Sequence, residues 1–262
     1  MHFHDMPWFI SVGAEFVGTF LFQFMAGAAV LSSYHTGLMT AAWGVGMSLV
    51  IVSYLSIRIS GAHLNPAITL VIFLSGKRSE DLHIWVAALY MLAQFCGAIC
   101  GAFLLVSVMP DDVALSDEGE KLTFLTQGML TPKHGFSVFV LELVCTFGLT
   151  WAYFATIIDH NSKAGALAPF VVGVAMTVGV LAAGPATGAS LNPARTIGPA
   201  VAYQTYGHCV APFFGAFAGA LLAGLAYSSL FLFPPESVPD LYRITAAAGK
   251  HEAEPFSNSR FV

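Results

Sequence analysis

Hydrophobic residues run along the chain in six long stretches, with shorter polar segments between them. The six stretches cover residues 8–32, 38–59, 84–109, 135–158, 167–184 and 209–233. A helix needs about 20 mostly apolar residues to cross the hydrocarbon core of a bilayer. The pattern therefore predicts six transmembrane helices. We expect the first to be a retained span, because neither a positively charged segment nor a small-residue cleavage site precedes it.

Two shorter apolar segments, 65–74 and 192–203, lie between these stretches, and each begins with Asn-Pro. Proline is well tolerated at the first position of a helix, because its missing N–H would have no helical partner there. The two segments are therefore predicted to be helices of about half a membrane span. The alternative, an amphipathic helix on the membrane surface, is disfavoured because neither segment has a charged face.

An internal repeat relates the two parts of the chain. The segment SGAHLNPAITL at 60–70 matches TGASLNPARTI at 187–197, an offset of 127 residues. The same offset brings AEFVGTF at 14–20 onto LELVCTF at 141–147 and aligns Glu15 with Glu142. We predict a first repeat at 8–109 and a second at 135–233. Each has three full spans, so the two must be inverted relative to each other, and the Asn-Pro starts can meet near the midplane.

Composition supports an all-α membrane protein. Of the 262 residues, 56% are hydrophobic and 10% are charged, whereas soluble proteins carry roughly 25% charged residues. The net charge of −5 indicates no nucleic-acid partner. The sequence contains no evident catalytic set, phosphate loop or metal-ligand spacing, so we predict no enzyme activity, no cofactor and no metal.

Lysine and arginine positions predict the orientation. With six spans, the termini share one side with the second and fourth connections, and most basic residues fall on that side. Because cytoplasmic segments carry an excess of Lys and Arg, we expect the N-terminus (1–7) and the tail (234–262) in the cytoplasm. The segment 110–134 is then an extracytoplasmic loop.

The residues just before each Asn-Pro are predicted to line a pore. Non-helical backbone is tolerated at membrane depth only where it is buried in protein or lines water. Its carbonyls would offer acceptors, and Asn65 and Asn192 would offer donors at the pore centre. Both half-helix N-termini, each with about +0.5 charge, would repel cations there. The predicted pore-loop residues are Gly61, Ala62, His63, Leu64, Gly188, Ser190 and Leu191.

The two boxes, Asn65-Pro66-Ala67 and Asn192-Pro193-Ala194, resemble the signature of the major intrinsic proteins, the aquaporin family. Arg195 directly follows the second box. The resemblance covers roughly residues 8–233. The contexts ISGAHLNPAITL and GASLNPAR are most similar to plant and algal tonoplast or plasma-membrane intrinsic proteins and to microbial aquaporins. The resemblance implies a right-handed bundle of six helices and two half-helices. It also implies a homotetramer with one pore per subunit, in the plasma or vacuolar membrane.

The resemblance also implies a four-residue filter near the outer mouth, at Val45, Val180, Ala189 and Arg195. Water-specific members of the family usually have an aromatic residue and often a histidine at the first two positions, so this constriction is expected to be wider and more apolar. Thr196 and Ala200 are typical of water channels, whereas the Pro212-Phe213 pair is closer to glycerol channels.

We therefore predict a passive channel for water that also admits glycerol, urea or hydrogen peroxide. The alternatives are a glycerol facilitator with low water flux and a secondary transporter. An ion channel is disfavoured by the positive pore centre.

Four residues are given individual roles. Glu15 and Glu142 are predicted to accept hydrogen bonds from the pore-loop backbone rather than to relay protons. His63 either lines the cytoplasmic vestibule or packs the loop. Arg195 is predicted to donate hydrogen bonds to the passing molecule and to repel cations; the alternative is an arginine that reaches for the membrane interface.

Overall fold

Eight helices of two lengths make up the described part of the chain. The computed structural model describes residues 7–76, 82–110 and 135–232. The long helices are α1 (Trp8–Thr36), α2 (Leu38–Ser56), α4 (Ile84–Val108), α5 (Gly135–Tyr153), α6 (Ala168–Thr187) and α8 (Val210–Leu230), and the short ones are α3 (Pro66–Ser75) and α7 (Pro193–Ala202). A π-helical segment, Phe154–Ile158, continues α5, and a 3-10 turn, Gly165–Leu167, leads into α6.

Six of these helical segments are long and apolar enough to cross a membrane. Their outer faces carry large apolar side chains, among them Phe136 at 80% exposure and Ile84 at 69%. Such a surface suits lipid and not water. The predicted architecture of six spanning helices with two half-helices is confirmed, and the chain is an integral membrane protein.

Several helix ends differ from the predicted ones for local reasons. α1 continues to Thr36 and stops where Gly37 adopts φ 89°, a conformation that suits glycine. α2 ends at Ser56, and a turn then brings Ser60 back within reach of Glu15. The half-helices begin at proline, because the preceding asparagine is the capping residue in both.

The two halves interlock through their half-helices. α1 packs against α2 and α4, α5 packs against α6 and α8, and α2 against α6 joins the two groups. α3 lies against α8 and α7 lies against α4. Each half-helix therefore contacts the last helix of the other half, as the inverted repeat requires.

Glycines allow the closest helix crossings. A side chain at Gly97 would collide with the backbone carbonyl of Phe16, and one at Gly219 would collide with that of Leu143. Phe16 and Leu143 are related by the repeat offset of 127. The α1–α4 and α5–α8 crossings are thus built in the same way, and both depend on the absence of a side chain.

Several predicted segments lie outside the described residues. These are residues 1–6 of the N-terminus, most of the predicted extracytoplasmic loop 110–134, and the tail 234–262. Lys77, Arg78, Lys121 and Lys133, on which the orientation depends, also lie outside. The topology therefore stays a prediction.

Candidate functional site

Asn65 and Asn192 each cap the half-helix that follows. The Oδ1 atom of Asn65 accepts a hydrogen bond from the backbone N of Ala67, and that of Asn192 accepts one from Ala194, both at 2.9 Å. The two asparagines have nearly the same backbone angles, with φ −156° and −157°. A side-chain acceptor at this position satisfies one of the N–H groups that a helix start leaves without a partner.

The same two asparagines also hold the two loops together. Asn65 Nδ2 donates to the carbonyl of Leu191 at 2.9 Å, and Asn192 Nδ2 donates to the carbonyl of Leu64 at 2.8 Å. Each asparagine is thus bonded to the residue that precedes the other one. The two half-helix N-termini meet at one buried point, and their positive ends face the same small region.

The pore loops share an unusual backbone. Ala62 and Leu64 have φ of 54° and 52°, and Ala189 and Leu191 have 45° and 52°. Residues other than glycine rarely adopt positive φ, and each such residue costs of order 1–3 kcal/mol. The strained positions match at the repeat offset, so both loops have one and the same strained shape. Their surroundings must hold this shape in place.

Glu15 holds the first loop. Its carboxylate is buried and accepts from the backbone N of His63 at 3.0 Å and of Leu64 at 2.6 Å. The hydroxyl of Ser60 and the side-chain amide of Gln94 also donate to it. Hydrogen bonds to a charged acceptor are about twice as strong as neutral ones, which suits a group that must hold a strained loop.

Glu142 holds the second loop in the same way. It accepts from the backbone N of Ser190 at 2.9 Å and of Leu191 at 2.8 Å, and from the hydroxyl of Thr187 at 2.6 Å. Thr187 also accepts a hydrogen bond from the backbone N of Ala189. Each of the three donors to Glu142 corresponds by the repeat offset to a donor to Glu15. The bond from Ala189 to Thr187 is repeated as well, because the backbone N of Ala62 donates to the hydroxyl of Ser60.

Arg195 is tied to the second loop. Its Nη1 donates to the carbonyls of Ala189 and Ser190 at 2.9 Å and 2.8 Å. The guanidinium carbon lies 5.5 Å from the ring centre of Phe22, within the range of a cation–π contact. The side chain is only 2% exposed, so it does not reach for the membrane interface. Its repeat-related position is Ile68, and the cation therefore belongs to one half of the molecule.

The other predicted filter residues lie in the interior of the bundle. Val45 on α2, Val180 on α6 and Ala189 in the second loop are all buried and belong to one apolar cluster. Ala189 is joined to Arg195 through its carbonyl. The filter role of these four residues stays a prediction.

A cavity lies beside the two asparagines. Besides Asn65 and Asn192, its walls include His63 and Ile68, together with a set of residues that sequence reasoning missed: Phe22, Leu49, Leu149, Tyr153 and Met176. The repeat offset pairs Phe22 with Leu149 and Leu49 with Met176. Because each pair joins unlike residues, the repeat offset alone does not single these four out, and only the packed structure places them at the cavity.

His63 fits both interpretations that the sequence left open. Its side chain lines the cavity, and its Nδ1 lies 3.2 Å from the hydroxyl of Thr69 in α3. The ring therefore borders the predicted path and also fixes the first loop against its own half-helix.

Comparison with known proteins agrees with this geometry. A family model described as Major intrinsic protein matches residues 4–227. The protein described as Probable aquaporin TIP2-2 from Oryza sativa subsp. japonica is 33% identical over 84% of this chain and 86% of its own length. Aquaporin TIP3-1 from Zea mays is 35% identical over 84% of this chain and 82% of its own length.

The fold also matches a solved structure. The X-ray structure of the aquaglyceroporin from Plasmodium falciparum superposes with a TM-score of 0.68 and covers 86% of this chain and 97% of that one. At 20% identity this similarity concerns the fold alone.

Proposed function

The chain belongs to the major intrinsic protein family, whose members are channels and not enzymes, and from that premise we propose that it passively conducts water and small uncharged solutes. The solutes we propose are glycerol, urea and hydrogen peroxide. Protons and other ions are excluded. The two relatives described above are named as aquaporins, which supports water as the main permeant.

The observation that carries the proposal is the pair of reciprocal bonds between the loops. Asn65 and Asn192 each donate one N–H to the opposite loop, and an amide carries two N–H groups. The second N–H of each is a donor for a molecule at the pore centre. A neutral molecule with an acceptor oxygen gains from these donors. A cation meets two positive helix ends instead.

Ion exclusion is supported a second time at Arg195. A buried guanidinium in a membrane protein is costly and is usually retained for function. Because both its carbonyl partners belong to the second loop, its position is fixed relative to the predicted path. A fixed positive charge beside the path raises the energy of any cation that passes.

The small filter residues support permeation by solutes larger than water. Val45, Val180 and Ala189 have short apolar side chains, and an aromatic ring or a histidine would leave less room. Thr196 and Ala200 in α7 support water as a permeant, as expected from the family pattern. A glycerol facilitator with low water flux is the alternative, favoured by Pro212-Phe213.

We further propose a homotetramer in the vacuolar membrane, with both termini in the cytoplasm. The resemblance to tonoplast intrinsic proteins and the TIP names of the relatives support the vacuole over the plasma membrane. Light scattering of the detergent-solubilised protein tests the tetramer, and a fluorescent fusion tests the membrane.

Stopped-flow light scattering on proteoliposomes tests the transport function. Vesicles with the full chain are compared with empty vesicles for water, glycerol, urea and hydrogen peroxide. Faster shrinkage in an impermeant osmolyte is expected, followed by faster reswelling with permeant solutes. Water flux without solute flux would overturn the solute part. Solute flux without faster water flux would favour the glycerol facilitator, and no difference from empty vesicles would overturn the channel.

A further inference from the structure

The two ends of the predicted path are not equivalent, although the repeat relates them. The repeat offset of 127 pairs Tyr153 with Ala26 and His63 with Ser190. Of these four, the two large rings belong to the half of the path lined by the first loop, and the two small residues belong to the other half. The predicted outer filter also consists of small residues apart from Arg195. The rings of Tyr153 and His63 therefore have no large counterpart at the repeat-related positions.

Tyr153 reaches across to the first loop. Its hydroxyl donates to the carbonyl of Gly61 at 2.7 Å, a normal length for an O–H donor. The side chain lines the cavity that also touches Asn65 and Asn192, and it is only 1% exposed. A ring on α5 is thus fastened to the opposite wall of the cavity.

His63 lies against this ring. The ring centres of His63 and Tyr153 are 6.2 Å apart, with their planes at 90°. The ring centre of His63 also lies 5.3 Å from that of Tyr90. Tyr90 donates to the carbonyl of Ser60 at 3.3 Å. Two tyrosines therefore hold consecutive carbonyls of the first loop, and the histidine ring packs edge-on against both.

The backbone of α5 supports the position of Tyr153. Directly after this residue the helix widens into the π-helical segment, where Asp159 N donates to the carbonyl of Phe154 at 2.8 Å. Such widenings are rare and often occur at functional sites. Phe154 itself is fully buried and packs so closely on Gly224 of α8 that a side chain there would collide with it. The neighbouring rings of Tyr153 and Phe154 therefore face different partners: Phe154 packs against α8, and Tyr153 lines the cavity.

We propose that Tyr153 and His63 form a second constriction, on the inner side of the asparagines, that sets the upper size limit for solutes. The proposal rests on the channel function argued above and refines its solute range. Because three of the four predicted outer-filter residues have small side chains, size selection is assigned to the inner rings. Water and hydrogen peroxide pass readily, urea passes more slowly, and glycerol is the most strongly retarded.

The test is the ratio of glycerol to water permeability in proteoliposomes that hold the full chain. Tyr153→Val removes the ring, and we expect the ratio to rise about tenfold, the scale of discrimination that a small change in the size of an apolar site produces. Tyr153→Phe keeps the ring, and its ratio is expected to stay within about twofold of the wild type, well below that scale. His63→Ser, which copies the repeat-related Ser190, is expected to raise the ratio and serves as a second variant if Tyr153→Val does not fold.

A matched control is available at Tyr54. Its hydroxyl also donates to a backbone carbonyl, that of Ala166, at 2.7 Å, but the ring is 46% exposed on the outside of the bundle. Tyr54→Val is expected to leave the ratio unchanged.

Three results are decisive. An unchanged ratio in water-conducting Tyr153→Val and His63→Ser would overturn the inner constriction. An equal rise in Tyr153→Phe and Tyr153→Val would overturn the assignment of size selection to the ring. Absence of water flux in the wild type would instead overturn the channel function itself.

Discussion

At the scale of single residues, the hydroxyls that donate to the two buried carboxylates can be tested directly by substitution. Thr187 donates to Glu142 and accepts from the backbone N of Ala189. Thr187→Val keeps the shape and removes these two bonds together with a weaker one to the carbonyl of Ala183, which leaves buried polar groups without these partners. We expect the free energy of unfolding to fall by about 1–3 kcal/mol, measured by denaturation in detergent micelles.

Thr177→Val is the matched control for this change. Thr177 is equally buried in the same helix, but its hydroxyl bonds only the carbonyl of Gly173, one turn earlier. That carbonyl can keep its helical partner. The control is expected to lose less than about 1 kcal/mol, and an equal loss in both variants would contradict the role assigned to Thr187.

The proposed ion exclusion can also be tested at single residues. Asn192→Asp keeps the cap on Ala194 but replaces the donor to Leu64 with a second oxygen and adds a negative charge at the pore centre. We expect a lower water permeability and a measurable potassium leak, because the added charge offsets the positive helix ends. Vesicles loaded with a potassium-sensitive dye provide the measurement.

Asn161→Asp adds the same charge in an exposed loop, where only the backbone N of Asn161 is bonded, to Asp159. This control is expected to leave both water permeability and potassium retention unchanged. A tight Asn192→Asp channel would contradict the electrostatic role of the asparagine pair.

At the scale of helices, the α5–α8 crossing depends on missing side chains at Gly215 and Gly219. An alanine at Gly219 would place a methyl group against the carbonyl of Leu143. Because backbone cannot give way as a flexible side chain can, we expect Gly219→Ala to lower the thermal midpoint by several degrees, corresponding to about 1–3 kcal/mol of overpacking.

Gly148→Ala is the control for helix propensity. Gly148 lies on α5, and a side chain there has nothing within 4 Å. Alanine is favoured over glycine inside a helix by about 1 kcal/mol, so this variant is expected to be as stable as the wild type or more stable. A destabilised Gly148→Ala would show that the method reports something other than the crossing.

The sequence predicted which segments form helices more readily than it predicted the contacts between those helices. Apolar length and the Asn-Pro starts are local signals, so all six spans and both half-helices were predicted, with ends that differed by a few residues. The hydrogen bonds from the loops to Glu15 and Glu142 could be predicted because the repeat contains the same glutamate and loop pattern twice. Gln94 and Tyr153 were missed because their contacts have no such duplicate, and only the packed structure brings them to the first loop.

At the scale of the whole molecule, the contacts between the two halves favour a pore over a carrier. The halves are held together at the centre by bonds from both asparagines and at the α2–α6 contact, so we expect no alternation between inward-open and outward-open states. Water and urea flux should rise in proportion to the gradient without saturation, and with equal permeability in both directions. Stopped-flow measurements over a range of inward and outward gradients check this, and a saturating flux would favour a transporter.

The reciprocal asparagine bonds also bear on how the protein is made. Asn65 bonds to a carbonyl 126 residues further along the chain, so its partner does not yet exist when the first half leaves the ribosome. Until then the strained residues Ala62 and Leu64 are held only by Glu15 and its neighbours in the first half, and we expect the amino-terminal half to reach its final shape only late in synthesis. A nascent chain halted at about residue 180, carrying Ala62→Cys, should therefore react with a water-soluble thiol reagent that no longer reaches this cysteine in the finished protein.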